Sequence, residues 1–240
     1  MPSRHLRRAG LLLAFCLAAG AAQAGALSVS PVRVTLTSTE PIAALTVRNS
    51  GADPVVVQLE ATSWTQHDGK DDYEPTRELL ATPPIFTVPP HSSQVVRIGL
   101  RRAADPRREL TYRLYLQEVP APAPADFVGM RVALRFGVPV FVSPAVAGAQ
   151  ALQWELLRGA DGRLSLACLN RGAVHARIAG FSLSPAGAAA LPVVPVAADV
   201  HAGQRREWVL RSEPVAPPGT VLHLSAMTER GDVHADLVAP

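Results

Sequence analysis

Lysine is almost missing from this chain: Lys70 is the only one among 23 basic residues, and the rest are arginine. Any fixed-charge anion site away from position 70 must therefore be built from guanidinium groups. Cysteine is equally scarce, with Cys16 near the start and Cys168 in the second half. Once an N-terminal leader is removed only Cys168 remains, so no intramolecular disulfide can form even in an oxidising compartment. Leu164 and Leu166 share its alternation, which predicts a buried, inert thiol. Long apolar runs are absent too: the run at 11–19 is too short to span a bilayer, and no long amphipathic helical pattern occurs. Aromatic residues are 5% of the chain and form no stacking array for single-stranded nucleic acid.

Catalytic and metal signatures are missing as well. Gly180-Phe181-Ser182-Leu183-Ser184 begins like a nucleophile elbow but lacks the second glycine and the strand-to-helix setting. Asp68, Asp71 and Asp72 lack the ligand spacing of a calcium loop and read as a solvated turn. The histidines at 67, 91, 175, 201, 223 and 234 show no paired metal spacing. No phosphate loop is present. These features predict no enzyme, no cofactor and no metal.

What is present begins with a leader. Arg4, Arg7 and Arg8 precede the apolar run, and Ala22-Gln23-Ala24 supplies a small-x-small cleavage pattern. Residues 1–24 are thus expected to be a cleaved signal peptide, and Phe15 before Cys16 does not suit a lipoprotein site. Removing three arginines from the formal charge of +3 leaves the mature chain formally neutral. The basic pI is then no argument for nucleic acid or for membrane insertion.

The mature chain is organised around residues 130–142, MRVALRFGVPVFV. Met130, Val132, Leu134, Phe136, Val138 and Val140 recur at every second position, which predicts one long strand with an apolar face. Pro139 cannot donate to a ladder and Gly137 stands beside it, so a free or bulged side is expected there. Such a strand either buries its apolar face in its own core or offers its edge to a partner for β-augmentation.

Strand-length runs surround it at 27–36, 43–48, 55–64, 79–88, 94–100 and 111–119. Pro83-Pro84 interrupts the fourth, marking an edge or sheet-switching strand. This spacing is that of an immunoglobulin-like sandwich. The second half repeats the plan. LTVRNSG at 45–51 matches LACLNRG at 166–172, and His91-Ser92-Ser93-Gln94 matches His201-Ala202-Gly203-Gln204. The break between the halves falls at 143–149.

Three segments, in this order after a signal peptide, resemble a known family: SVSPVRV at 28–34, YRLYLQEVP at 112–120 and VPVFV at 138–142. They resemble the periplasmic chaperones of the chaperone–usher pilus pathway, the PapD-like family, and VPVFV resembles its divergent branches. The resemblance covers residues 27–144 and is architectural beyond them. It implies an all-β protein of two tandem immunoglobulin-like β-sandwich domains in a boomerang arrangement, residues 25–145 and 146–240. It also implies a periplasmic location in a Gram-negative bacterium. The implied partners are pilin or fimbrial subunits and an outer-membrane usher. Met130, Val132, Leu134 and Phe136 would be donor side chains completing a subunit's fold, and Arg33 would bind the subunit's C-terminal carboxylate. The best-known members carry a lysine where this chain has Pro139. Either Arg33 acts alone here, or Arg97, Arg113 or Arg135 supplies the second charge. Glu118, before the long strand, is expected to face a nearby arginine. The reading from another class is a two-domain envelope protein with a structural or adhesive role.

Overall fold

The computed structural model describes residues 27–122, 129–130, 132–185, 192–210 and 217–240. The expected signal peptide lies outside these residues. Every regular element among them is a β-strand.

The alternation over 27–36 predicts one strand, and the structure divides it between two sheets. β1 (Leu27–Ser30) pairs with β3 (Ile42–Asn49), whereas β2 (Val34–Leu36) runs parallel to the last strand of the first half. Pro31 has no N–H to continue the first ladder, so the chain crosses between layers at Pro31-Val32-Arg33. That crossing places Arg33 at the end of the sandwich. β4 (Val55–His67) and β5 (Lys70–Pro75) form a hairpin. The segment broken by Pro83-Pro84 also switches sheets, as its sequence predicts. β6 (Leu79–Thr82) joins β8 (Ser93–Leu100), and β7 (Ile85–Val88) joins β4. β9 (Leu110–Val119) and β10 (Arg135–Val142) complete one sheet in the order β2-β10-β9-β4-β5, facing the sheet β1-β3-β8-β6. Leu45, Val47, Val96 and Ile98 meet Leu114, Leu116, Val138 and Val140 between the layers, all buried.

The strand expected over 130–142 begins only at Arg135. Antiparallel pairing with β9 runs unbroken from Arg135↔Gln117 to Val142↔Leu110, so there is no bulge at Gly137 or Pro139. Beyond Arg135, Glu118 caps the strand. Its N–H donates to the Leu134 carbonyl (2.9 Å), and its Oε2 accepts the Leu134 N–H (3.2 Å). Glu118 therefore serves the backbone rather than an arginine.

The second half is a smaller sandwich. β11 (Leu152–Arg158), β12 (Leu164–Asn170) and β15 (Arg205–Val209) form one sheet. β14 (Val194–Val200), β13 (Ala176–Pro185), β16 (Val221–Thr228) and β17 (Gly231–Val238) form the other, in that order. Cys168 lies in this core, and burial pushes its thiol up to about 12, in keeping with the inert thiol expected. The register of β13 on β14 shifts between Ile178 and Gly180, and Ala197 takes φ 44° opposite the shift. This bulge turns Val196–Asp199 toward the first sandwich.

The tip of the β4–β5 hairpin reaches the second sandwich instead of standing in solvent. Asp68 and Gly69 have φ of 49° and 75°, the two-residue turn with both angles positive. The Gly69 carbonyl accepts from Glu207 N (3.3 Å), and a Cβ on Gly69 would lie 2.7 Å from that of Glu207. Gln66 ties the halves together: Nε2 donates to the Asp199 carbonyl (2.7 Å) and Oε1 accepts from His201 N (3.1 Å). Aromatic contacts fill the joint. Trp64 meets His201 edge-on at 4.3 Å, and Phe141 stacks on His175 at 3.7 Å.

Candidate functional site

β2 covers β10 only at Val140, Phe141 and Val142. From Arg135 to Pro139 that side of β10 has no strand beside it among the described residues. Because the Leu134 carbonyl bonds to β9, strand alternation sends the backbone groups of 136, 138 and 140 the same way. Those of 135, 137 and 139 point to the uncovered side. The N–H that Pro139 lacks would have pointed to this open edge, so proline costs no ladder bond there. Arg135 sits at the edge, paired with Glu60 (3.0 Å) and lying 3.9 Å over the Tyr115 ring. A charged side chain at an exposed edge hinders pairing between two copies of the chain.

The even-numbered apolar residues from 130 to 142 divide into two groups, and the four expected donors, Met130, Val132, Leu134 and Phe136, are split between them. Val138, Val140 and Val142 are buried in the protein's own core, and Leu134 and Phe136 pack partly against it. Met130 and Val132 precede the strand, 87% and 72% exposed.

At its Pro139 end the open edge runs into a cleft of about 460 Å³ between the two sandwiches. Gly137, Pro139, Val32 and the bulged segment 196–199 form its walls, and Arg33, Arg113, Arg177 and Arg206 project into it. Three of these cations are matched. Arg177 pairs with Asp199 (2.9 Å), Arg33 with Glu229 (2.9 Å), and Arg206 with Asp71. Burial works against the charge on Asp71, but hydrogen bonds from Arg206, Gln66 and Trp64 hold its carboxyl below the usual range.

Arg113 differs. Among the described residues it has no carboxylate within ion-pair distance. Its guanidinium lies 4.2 Å over the Trp64 ring and 5.6 Å from the Tyr73 ring. The buried Nε has no hydrogen-bond partner, and Nη1 approaches the Gly137 carbonyl only at 3.5 Å. Gly137 leaves room for this placement: a Cβ there would lie 3.2 Å from Arg113 Cδ and from the Tyr115 ring. The cleft thus holds an uncompensated guanidinium with unused donors, the chemistry that recognises a carboxylate.

Of the three candidate second cations, only Arg113 shares the cleft with Arg33. Arg97 lies in β8, in the other sheet, opposite Ala44 and Thr82, and Arg135 is engaged by Glu60. Glu229, His175 and the Asp71–Arg206 pair have no sequence signal. They meet the site from elements 66 to 196 residues away in the chain.

Fold and cleft together define a two-domain, all-β immunoglobulin-like protein with an open strand edge leading to an arginine site. The family model for the pili and flagellar-assembly chaperone, PapD N-terminal domain, matches residues 26–147. The chain belongs to this family of pilus-assembly chaperones. Among solved structures it is similar to a chain of the CsuC–CsuE chaperone–tip adhesion subunit pre-assembly complex of archaic Csu pili from Acinetobacter baumannii. That match has a TM-score of 0.68 at 16% identity, over 88% of this chain and 97% of that one. A chain of the Salmonella enterica SafA pilin–SafB chaperone complex gives 0.61 at 16%, covering 90% and 98%. The E. coli chaperone DraB gives 0.57 at 22%, covering 89% and 95%. These matches extend the fold likeness over both sandwiches. No curated protein sequence matches the chain.

Proposed function

We propose that this chaperone is exported to the periplasm on residues 1–24, binds pilin or fimbrial subunits by donor-strand complementation, and delivers them to an outer-membrane usher. Residues 25–145 form the subunit-binding domain and 146–240 the second. The observation that carries this reading is the continuity of the open β10 edge with the cleft of Arg33 and Arg113. An extended subunit strand pairing along Arg135–Pro139 would bring its C-terminal carboxylate to the two guanidinium groups. The anchor then sets the register of the added strand, and Arg113 supplies the second charge that Pro139 does not.

Met130, Val132, Leu134 and Phe136 provide the apolar side of the complement. Each apolar side chain fully buried contributes roughly 1.5–3 kcal/mol. Met130 and Val132 have almost that whole contribution available, because they bury little in the free protein. Leu134 and Phe136 contribute less, since part of their surface is already covered. Bringing Met130, Val132 and Leu134 into a continued strand and losing translational freedom offset part of the gain. No nucleotide is needed, because binding alone stabilises the unfinished subunit.

Periplasmic pull-down of the tagged mature chain, with mass spectrometry of what co-purifies, tests the proposal. Small secreted β-subunits in one-to-one complex are expected. A monomer without a client, from cells expressing the neighbouring export genes, would favour a structural role in the envelope.

A further inference from the structure

We infer that Glu229 is a resident counter-carboxylate: it occupies Arg33 in the free chaperone and gives way when a subunit's C-terminal carboxylate arrives. The inference rests on the reading of Arg33 as an anchor.

Glu229 and Arg33 are 196 residues apart in sequence and belong to different sandwiches, yet their side chains meet at 2.9 Å. The contact joins the tight turn between β16 and β17 to the crossing between β1 and β2. The backbone of that turn is fixed independently of the ion pair. Thr228 pairs with Gly231, Arg230 N donates to Thr228 Oγ1 (3.2 Å), and Glu229 N donates to the Arg177 carbonyl (3.2 Å). The glutamate side chain can therefore leave Arg33 without unfolding the hairpin.

The pair is also built to be broken. Its side chains are 35% and 31% exposed, and an ion pair of that exposure is weakly held. An incoming carboxylate that also engages Arg113 makes contacts Glu229 does not, because among the described ion pairs Glu229 meets Arg33 and His175 and not Arg113.

His175 also borders Glu229. Glu229 Oε1 lies 3.7 Å from His175 Nε2, a buried nitrogen without a hydrogen-bond partner. The His175 ring is held in that orientation from its other side. Its Nδ1 meets Glu109 Oε2 at 2.6 Å, its backbone N–H donates to the same oxygen (2.8 Å), and its face stacks on Phe141. With Nδ1–H donated to Glu109, Nε2 of a neutral imidazole carries only a lone pair and does not hold a carboxylate, so the displaced Glu229 turns outward to solvent, to which it is already 31% exposed. Arg33 itself stays in place over Phe141, 5.7 Å from the ring centroid. The exchange leaves Arg33 paired with one carboxylate in both states, and it makes capture selective for ligands that bring their own carboxylate.

The test is a titration of the full mature chain with a fluorescent peptide of about ten alternating valine and threonine residues ending in a free carboxylate. The same peptide amidated at its C-terminus is the control. Glu229→Gln and Glu229→Ala should each lower the Kd for the free-acid peptide about threefold, the worth of one half-exposed ion pair. Neither should change binding of the amide. In an Arg33→Ala background the gain should vanish, since the competition it relieves is gone. Wild-type or weaker binding by both Glu229 variants, or a gain that persists without Arg33, overturns this inference. Unchanged binding by Arg33→Ala alone, or no binding of the free-acid peptide to wild type, overturns the anchor reading beneath it.

Discussion

Asn49 and Asn170 hold the same place in the two sandwiches. Asn49 Nδ2 donates to the carbonyls of Asp53 (2.7 Å) and Val88 (3.1 Å), and its Oδ1 accepts from Gly51 N (2.9 Å). Asn170 Nδ2 donates to Val174 (2.8 Å) and Val200 (3.0 Å), and its Oδ1 accepts from Gly172 N (3.0 Å). Each side chain, fully buried, pins a strand end, the following turn and a distant strand.

Asn49→Ala and Asn170→Ala should each cost about 2–3 kcal/mol, because each leaves buried carbonyls without donors. Urea unfolding with an unchanged m-value measures this. A loss below about 0.5 kcal/mol would mean that water or neighbouring groups replace the amide.

Arg113→Ala should weaken capture of the free-acid strand peptide about tenfold, the loss of one charge-assisted contact. Arg113→Lys should recover part of it. Gly137→Ala should share the defect, since its Cβ would crowd Arg113 Cδ at 3.2 Å. Wild-type affinity in Arg113→Ala, by fluorescence anisotropy, would remove Arg113 from the anchor.

His201 makes the joint sensitive to acid. Burial, aided by His175 and Arg206, lowers its imidazole from 6.5 to about 3 against the opposing charge of Asp71. As pH falls through the window from 6.5 to about 3, the unfolded chain takes up a proton that the folded chain refuses. Stability is therefore whole above this window and declines within it, by up to about 1.4 kcal/mol per pH unit. Urea midpoints near pH 7 and near pH 5 should diverge for wild type and less so for His201→Gln. Equal pH dependence in both would place the acid sensitivity elsewhere.

Pro139→Thr should leave the monomer fold intact, because the new N–H points to the open edge and not to β9. The edge would then carry one more donor, which favours pairing between copies. A larger dimer or aggregate fraction in size-exclusion chromatography at high concentration is expected. An unchanged elution profile would mean that Arg135 and its Glu60 partner already suffice to block pairing.

Local pattern was enough to read the two sandwiches from the residues. Alternation marked the strands, Pro83-Pro84 marked a sheet switch, and the Asn49 and Asn170 repeat pointed to a duplicated plan. Turn geometry was harder to read. Asn49 N bonds to the Ser92 carbonyl and Asn170 N to that of Gln204, so His91 corresponds to Gly203. Both take left-handed backbone, φ 53° and 70°. The sequence match of His91 with His201 is thus displaced by two residues: the connections after Val88 and Val200 have the same length, and the shared histidine falls at different places in them. That displacement concealed His201 as a joint residue. A local motif singled out Arg33, which lines the cleft, but which of Arg97, Arg113 and Arg135 shares that cleft was not legible. It depends on which sheet each strand joins and on the space Gly137 leaves. The Arg33–Glu229 contact depends on how two sandwiches dock, and short-range pattern carries no record of that.

Val132 offers the most direct test of subunit capture, because it is exposed in the free protein and is proposed to be buried in the complex. The measurement is recovery of a co-expressed fibre subunit with wild type and with Val132→Glu, alongside the melting temperature of each free chaperone. Donor-strand complementation predicts the wild-type melting temperature with subunit recovery lost, because the carboxylate would enter an apolar groove. Full recovery of the subunit by a folded Val132→Glu protein would contradict it.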